Sequence, residues 1–261
     1  MTHSKLFNTK KSLGQHFLVD IPTIDQIIRL SNINGKDIVE IGPGNGSLTT
    51  ELVKHAKTIV AIEKDVELVP FLNNLKLKYT NFDYIVEDAL KLNPIDLKNQ
   101  PSILISNLPY NVGTEIYLKY LHFNFDNNKK QFEYLILMFQ LEVAKRIVAN
   151  VGDRNYGRLS IISKLLANCE ILLDVDKNCF NPAPKVQSAV IKVSLLDKPR
   201  YDVNLKKLQL VTAMAFNGRR KTIKNSLQQL NLNLEEIGIN FNKRAEELTL
   251  EEFCLIANNI D

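Results

Sequence analysis

Residues 38–46 read Ile38-Val39-Glu40-Ile41-Gly42-Pro43-Gly44-Asn45-Gly46, a short β-branched run followed by three glycines at alternate positions. Residues 47–53 then have the apolar spacing of a helix. A strand, a glycine turn and a helix in this order let a nucleotide-like ligand approach backbone atoms without Cβ clashes. In the dinucleotide fingerprint the third glycine comes three residues after the second, whereas Gly46 comes two after Gly44. The stretch therefore predicts an α/β fold whose ligand carries no pyrophosphate.

Two carboxylates follow, each at the end of a predicted strand. The run at residues 58–63 ends on Glu63, 21 residues after Gly42, close to the roughly 20-residue spacing at which an acidic side chain binds ribose hydroxyls. Asp88 follows the next run, residues 82–87, and can accept from the amino group of an adenine. Either carboxylate alone could be a solvated loop residue. Together with the glycine turn, they favour a site for S-adenosylmethionine.

The turn Ser106-Asn107-Leu108-Pro109-Tyr110 follows another apolar run, residues 103–105. The side-chain oxygen of Asn107 and the carbonyl of Leu108 can accept both N–H bonds of an exocyclic amine such as N6 of adenine. Tyr110 can stack on the base. An ordinary proline turn at a strand end would use the same residue types. The neighbouring glycine turn and carboxylates favour a methyltransferase that acts on adenine.

Beyond these residues, the chain closely resembles the ribosomal RNA adenine N6,N6-dimethyltransferases. It is most similar to those that dimethylate two adjacent adenines near the 3′ end of small-subunit rRNA. The matching motifs are KSLGQHFL (residues 11–18), VEIGPG (39–44), NLPYN (107–111), YGRLS (156–160), FNPAPKV (180–186), SAV (188–190) and AFNGRRKT (215–222). The resemblance extends from about residue 10 to the C-terminus and implies a Rossmann-like class I methyltransferase that uses S-adenosylmethionine.

The resemblance also implies a role for each matched residue. The residues implied to bind the cofactor are His16, Leu18, Gly42, Gly44, Glu63, Asp88 and Asn107. Those implied to hold the target adenine are Asn107, Leu108, Pro109, Tyr110 and Phe180. Phe180 would cover the second face of the flipped base, although it could equally be a core residue. The position of His16 is often Asn in this family, and imidazole can still hydrogen-bond there.

Basic residues near both ends of the chain suggest contacts with RNA. The predicted RNA-binding residues are Lys10, Lys11, Arg146, Arg219, Arg220, Lys221 and Lys224. The last four are expected at the start of one helix, where like charges three or four residues apart cost roughly 0.2–0.5 kcal/mol a pair unless a phosphate backbone offsets them. A solvated basic face is the alternative. Residues 140–143 lack a Lys that the family often has there, and Lys145 or Arg146 could replace it.

Hydrophobic periodicity predicts the overall organisation. We expect a mostly parallel seven-stranded sheet with helices on both faces, followed by a small all-helical C-terminal domain. The predicted strands include residues 38–41, 58–63, 82–87, 103–105, 135–139, 188–193 and a segment around 171–173. A break at residues 197–200 divides the chain into a methyltransferase domain, 1–196, and a helical RNA-binding domain, 197–261.

Composition limits the class of protein. The chain has 261 residues, enough for one large and one small domain, and a formal net charge of +4. Cys169, Cys179 and Cys254 are odd in number and lack metal-ligand spacing, so we expect neither a metal site nor a disulfide framework. No apolar run reaches the roughly 18 residues needed to cross a membrane, and no signal-peptide core precedes Asp20. We expect a cytoplasmic monomer whose partner is 16S rRNA within the small ribosomal subunit.

Three alternatives remain open at this point. A related family methylates a large-subunit adenine and confers antibiotic resistance, but the proline-rich and AFNGRRKT motifs favour the small-subunit enzymes. A non-catalytic binder, such as an assembly factor, is disfavoured by the intact Glu63, Asp88 and Asn107. A nicotinamide dehydrogenase is least consistent with the sequence, because its glycine spacing differs and no hydride-transfer site is apparent.

Overall fold

The computed structural model describes residues 15–97, 102–126, 131–218, 220–230, 232 and 234–260. In this part of the chain the strands are β1 (Phe17–Leu18), β2 (Asp37–Ile41), β3 (Thr58–Glu63), β4 (Phe82–Val86), β5 (Ser102–Asn107), β6 (Phe132–Gln140), β7 (Ala167–Val175), β8 (Phe180–Asn181) and β9 (Ser188–Leu195). The α-helices are α1 (Ile21–Ser31), α2 (Ser47–Leu52), α3 (Val69–Lys78), α4 (Gly113–Asp126), α5 (Leu141–Val148), α6 (Arg158–Leu166), α7 (Leu205–Ala215), α8 (Ile223–Ser226), α9 (Leu234–Ile237) and α10 (Leu250–Asn258).

Seven strands form one sheet in the order β4-β3-β2-β5-β6-β9-β7. The pairs from β4 to β6 are parallel, and β9 runs antiparallel to β6. This confirms the predicted mostly parallel seven-stranded sheet. The chain fills the sheet in one direction from β2 to β4 and in the other from β5, so the switch point lies between β2 and β5. Ligands of open α/β sheets bind outside the carboxyl ends of the strands at such a point.

The central strands are apolar because both faces of the sheet are covered. Their buried apolar residues are Ile38, Val39, Ile41, Ile103, Leu104 and Ile105. At the end of β5 the buried Ser106 hydroxyl donates to the carbonyl of Ile41, at 2.6 Å. This bond joins the carboxyl ends of β2 and β5, beside the two turns that were predicted to bind ligands.

A second, two-stranded sheet was not predicted from the sequence. β1 pairs antiparallel with β8, with Phe17 opposite Asn181 and Leu18 opposite Phe180. Each strand has two residues, which is too short for an alternating pattern to be recognised. The pairing fixes the segment that precedes α1 beside the proline-rich segment near residue 182.

The described chain forms two compact units. The first contains the described residues up to Ala144 together with Glu170–Asp197, and the second contains Lys145–Cys169 with the described residues from Lys198 on. The predicted boundary at residues 196–197 instead assigns Lys145–Cys169 to the first domain. The difference arises because α6 packs against α7 and α10 within the second unit. None of the described helices combines the length and the apolar character needed to span a bilayer.

Candidate active site

A cavity of about 180 Å³ lies at the carboxyl ends of β2, β3, β4 and β5. Its walls come from the turns that follow these strands, from the start of α4 and from residues 15–17. The predicted site residues that line it are His16, Gly42, Gly44, Glu63, Asp88, Asn107, Leu108, Pro109 and Tyr110. The switch point of the sheet therefore brings together residues that are up to 94 positions apart in the sequence.

The glycine turn after β2 is covered by an aromatic ring. Gly44 has a φ of +56°, and a Cβ built on it would lie 2.8 Å from the ring of Phe17. A Cβ on Gly42, whose φ is +69°, would instead meet open space. Only glycine fits both the left-handed backbone and the close contact at residue 44. The turn can therefore present bare backbone to a ligand at Gly42, while Phe17 packs against it at Gly44.

Glu63 connects this turn to the end of β3. Its buried carboxylate accepts from the backbone N–H of Asp65 at 2.8 Å and, through a longer bond of 3.4 Å, from that of Gly44. Burial raises the pKa of the Glu63 carboxyl, although these N–H groups act in the opposite direction. A carboxylate can accept further hydrogen bonds beyond these two, so Glu63 can also bind hydroxyl groups in the cavity.

Asp88 is held by a lysine that sequence reasoning missed. Its carboxylate accepts from Lys64 Nζ at 2.7 Å and from the backbone N–H of Leu90 at 2.9 Å. The bond from Lys64 lowers the pKa of Asp88 below its ordinary value. Lys64 also lines the cavity. The one signal for it in the sequence was its place directly after Glu63.

The side-chain amide of Asn107 is oriented by the N-terminal segment. Its Nδ2 donates to the backbone carbonyl of His16 at 2.9 Å. The ring of His16 is itself fixed, because its Nδ1 lies 2.8 Å from the carbonyl oxygen of Pro182. No residue in the described part of the chain donates to Asn107 Oδ1, so this oxygen is the acceptor that Asn107 offers to the cavity.

Tyr110 is constrained at both ends. Its hydroxyl lies 2.5 Å from the hydroxyl of the fully buried Ser188, and its ring stacks on His16 with centroids 5.3 Å apart. Burial raises the pKa of Tyr110 above its ordinary value. Ser188 belongs to the SAV motif, but sequence reasoning gave it no role. Its contact with Tyr110 shows that it fixes the predicted stacking residue.

Leu18 and Phe180 are not among the residues that line the cavity. They are 3% and 4% exposed and form part of the hydrophobic core of the first unit. They lie opposite each other in the β1–β8 pair. The predicted contacts of Leu18 with a cofactor and of Phe180 with a target base are not tested by this geometry and stay predictions.

Glu40, on β2, is a buried acid to which no role was assigned from the sequence. It is 1% exposed, and its Oε2 has no hydrogen-bond partner in the described chain. Burial, with a smaller contribution from the nearby Glu63 carboxylate, raises the pKa of Glu40 to about 8. This buried carboxyl lies two residues before the glycine turn, and its raised pKa favours the protonated form.

The predicted RNA-binding residues that the structure describes are exposed and lie in the second unit. They are Arg146, Arg220, Lys221 and Lys224. Lys10, Lys11 and Arg219 lie outside the described residues. The RNA contacts of all seven stay predictions.

The prediction that a helix begins with the basic residues 219–221 was wrong, because the helix begins at Ile223. Arg220 and Lys221 precede α8, so Lys224 is the one described basic residue of the cluster that lies in the helix. The three side chains therefore do not share a helix face. Thr222 forms an isolated β-bridge with Arg244. The next amide, that of Ile223, donates to the carbonyl of residue 243. This extended pairing replaces the first turn of the expected helix.

Comparisons with known proteins agree with one another. A family model described as Ribosomal RNA adenine dimethylase matches residues 6–261. The chain is 40% identical to a Ribosomal RNA small subunit methyltransferase A of Wolbachia sp. subsp. Drosophila simulans (strain wRi), with 98% of this chain and 95% of the relative covered. It is 42% identical to a protein of the same name from Clostridium botulinum (strain Loch Maree / Type A3), with 97% and 94% covered.

Two solved structures extend this similarity to the fold. A dimethyladenosine transferase from Plasmodium falciparum superposes with a TM-score of 0.72 at 26% identity, covering 92% of this chain and 96% of that one. The 23S rRNA methyltransferase ErmE gives a TM-score of 0.69 at 23% identity, covering 94% of this chain and 99% of that one. At 23% identity the second comparison shows a shared fold alone.

Proposed function

The chain belongs to the ribosomal RNA adenine dimethylase family and is a methyltransferase, and we propose that it dimethylates N6 of two adjacent adenosines near the 3′ end of 16S rRNA. S-adenosylmethionine is the proposed methyl donor. Nearly full-length relatives that are named for the small subunit support this choice of target over the large subunit. The proposed setting is cytoplasmic assembly of the small ribosomal subunit, with the enzyme acting as a monomer.

The observation that carries the proposal is the orientation of Asn107. Because its Nδ2 is bound to the carbonyl of His16, its Oδ1 remains as an acceptor in the cavity. The backbone carbonyl of Leu108 is the proposed second acceptor, and Tyr110, fixed by Ser188, is the proposed stacking surface. Two acceptors beside an aromatic ring match an exocyclic amine with two N–H bonds on a planar base.

The residues of the cavity also fit the proposed cofactor. Gly42 leaves open space where other residues carry a side chain, next to the proposed methionine moiety. Glu63 can accept from ribose hydroxyls in addition to its two backbone donors. Asp88, whose carboxylate already accepts from the backbone N–H of Leu90, is proposed to accept from the adenine amino group as well. S-adenosylmethionine supplies an electrophilic methyl group when it is bound.

In this proposal the protein acts by positioning rather than by acid–base chemistry. The N6 lone pair of adenine is delocalised into the ring and is a poor nucleophile. Acceptors at Asn107 and Leu108 hold both N–H bonds and favour a pyramidal nitrogen whose lone pair faces the methyl group. In-line transfer then depends on proximity and alignment. The methylated nitrogen is cationic and loses its proton readily, so a dedicated general base is not required.

RNA binding is assigned to the basic residues, of which Arg220 and Lys221 are exposed within the AFNGRRKT motif and Lys224 is exposed just after it. Each phosphate that they neutralise should add roughly 0.7–0.9 to the slope of log affinity against log salt concentration. Arg146, exposed on α5, is proposed to make a further contact. Lys10, Lys11 and Arg219 complete the proposed set.

The test is transfer of labelled methyl groups from S-adenosylmethionine to small and large ribosomal subunits that lack their own adenine methylation. Nucleoside analysis should find N6,N6-dimethyladenosine in small-subunit RNA only, and Asn107→Ala should form it about 10²–10³ times more slowly. Label in the large subunit would instead identify a resistance-type enzyme. Binding to a subunit without transfer to either RNA would favour a non-catalytic assembly factor.

A further inference from the structure

We propose that Lys119, on α4, is a positioning residue for the adenine end of the cofactor site. It holds the turn that follows β4, residues 88–92, in the shape that presents Asp88 to the cavity. This inference rests on the proposed function, since it takes Asp88 as the residue that binds the adenine amino group.

The geometry of Lys119 supports this role directly. Its Nζ donates to the backbone carbonyls of Ala89, at 2.9 Å, and Leu92, at 2.5 Å. One ammonium group therefore connects two carbonyls of the same turn. The hydroxyl of Tyr120 also approaches the Ala89 carbonyl, at 3.4 Å, and Lys119 Nζ lies 5.8 Å from the centroid of the Tyr120 ring.

The turn has a helical shape that needs such a donor. The backbone N–H groups of Lys91 and Leu92 both donate to the carbonyl of Asp88, at 2.8 and 2.9 Å. Carbonyls at the end of a helical turn carry partial negative charge and lack partners from the turn itself. A lysine is suited to this position, because it supplies several donors and a full positive charge.

Lys119 is also partly desolvated. Burial lowers its pKa, and the nearby Asp88 carboxylate acts in the opposite direction. A lysine that had no role in binding the turn would extend into water, since its stem is flexible. Its inward placement indicates that the two carbonyls, together with the charge of Asp88, compensate for the desolvation.

The position of Lys119 links the two ends of the cavity. α4 begins at Gly113, just after the turn that contains Asn107, and Lys119 follows six residues later. At 1.5 Å per residue this separation is about 9 Å along the helix. The same helix therefore starts beside the turn proposed to hold the target amine and, through Lys119, holds the turn proposed to bind the adenine of the cofactor. Ala89 and Leu90 line the cavity between the two turns.

The experiment compares Lys119→Met, which keeps the stem but removes the charge and donors, with Lys119→Arg, which keeps both. The probe is S-adenosylhomocysteine, with binding measured by calorimetry on the full chain. Lys119→Met should weaken binding of this probe about tenfold, as expected if the charge-assisted hydrogen bond between the adenine amino group and Asp88 is lost. Lys119→Arg should bind within about threefold of wild type. Lys76→Met is the matched control, because Lys76 is exposed and pairs only with Asp83 in the described chain.

A second probe locates the effect at the adenine. S-inosylhomocysteine has a carbonyl in place of the amino group, so wild type should bind it more weakly than S-adenosylhomocysteine. Lys119→Met should reduce this preference, because the turn that carries Asp88 loses the ammonium group that connects its two carbonyls. A lower stability without a change in either affinity would overturn the proposal, and so would an equal loss of affinity for both probes.

These readouts separate the inference from the proposed function. Binding is measured without any RNA, so a failure to methylate ribosomal subunits would not alter it. If Lys119→Met does not fold, Lys119→Gln is tested instead, since it keeps one donor group without the charge. It should also lose preference for S-adenosylhomocysteine over S-inosylhomocysteine, but to a smaller extent. Unchanged preference in a folded Lys119→Gln would then overturn the proposal.

Discussion

Replacement of Asn107 by alanine should separate methyl transfer from cofactor binding. The substitution removes Oδ1, the proposed acceptor for the target amine, and Nδ2, which donates to the carbonyl of His16. Loss of one preorganised hydrogen bond to a reacting group typically lowers kcat by about 10²–10³, or about 2.7–4 kcal/mol. Loss of the bond to His16 should lower the free energy of unfolding by about 0.5–1.5 kcal/mol.

Asn107→Asp isolates the two contributions. It keeps an oxygen in the cavity but replaces the Nδ2 donor with a second oxygen, which would lie 2.9 Å from the carbonyl oxygen of His16 if nothing moved. Two acceptors at that distance repel each other, so the carboxylate should rotate and transfer should be slower than wild type. It should still exceed that of Asn107→Ala, because an acceptor for the amine remains.

The assay is single-turnover methylation of small subunits at saturating donor, with the affinity for S-adenosylhomocysteine and the urea unfolding of each variant measured in parallel. Donor affinity of Asn107→Ala should stay within a few-fold of wild type. Asn73→Ala is the control, because Asn73 is exposed on α3, and it should methylate normally. Transfer by Asn107→Ala within threefold of wild type would contradict the assigned role. So would a loss of donor affinity as large as the loss of rate.

Ser188→Ala should lower the free energy of unfolding by about 0.5–1.5 kcal/mol, because the half-buried hydroxyl of Tyr110 loses its partner. Adding Tyr110→Phe should recover most of this loss in urea titrations, and strictly additive losses would argue against the pairing. Wild type should lose stability relative to Glu40→Gln as the pH rises from about 5 to 8, by up to about 1.4 kcal/mol per pH unit. The sign follows from a folded-state pKa of about 8 against an ordinary 4.5: the folded chain retains a proton that the unfolded chain has released. Parallel pH profiles of the two proteins would contradict this. Gly46→Ala should destabilise the protein by more than Gly35→Ala, which should cost about 1–2 kcal/mol for its left-handed backbone. Of these two glycines, only Gly46 has an aromatic ring, that of Phe71, 2.4 Å from the position of an added Cβ. Equal losses of stability of the two variants in thermal unfolding would refute the expected difference.

The sheet was predictable because its signals are local. Each of the seven strands contains a run of β-branched or apolar residues, so its approximate position can be recognised within a short window. The paired strands β1 and β8 were missed because each has two residues and depends on a partner more than 160 positions away. The predicted basic helix was wrong for a related reason. Its local pattern contains no sign that Thr222 pairs with Arg244.

The candidate site follows the same rule. Glycines, acids and the Asn107 turn at successive strand ends could be assigned from spacing, since parallel strands bring their carboxyl ends to one edge of the sheet. The residues that hold them could not be assigned. Lys64, Ser188 and Lys119 act through partners 24, 78 and 27–30 positions away. Lys64 follows Glu63 and Ser188 begins the SAV motif, but neither neighbourhood names the side chain that the residue holds.

The bond from Asn107 to His16 gives the cavity a fixed hydrogen-bond polarity. A free asparagine amide can turn over and offer either a donor or an acceptor, and so it cannot by itself distinguish an amine from a carbonyl. With one N–H of Nδ2 bound to the carbonyl of His16, the amide cannot turn over, and Oδ1 stays as its acceptor in the cavity. An adenine that has been deaminated to hypoxanthine would bring its own carbonyl oxygen against that oxygen. The site should therefore exclude deaminated RNA before any chemistry begins, and this selectivity depends on a backbone carbonyl 91 residues away in the sequence.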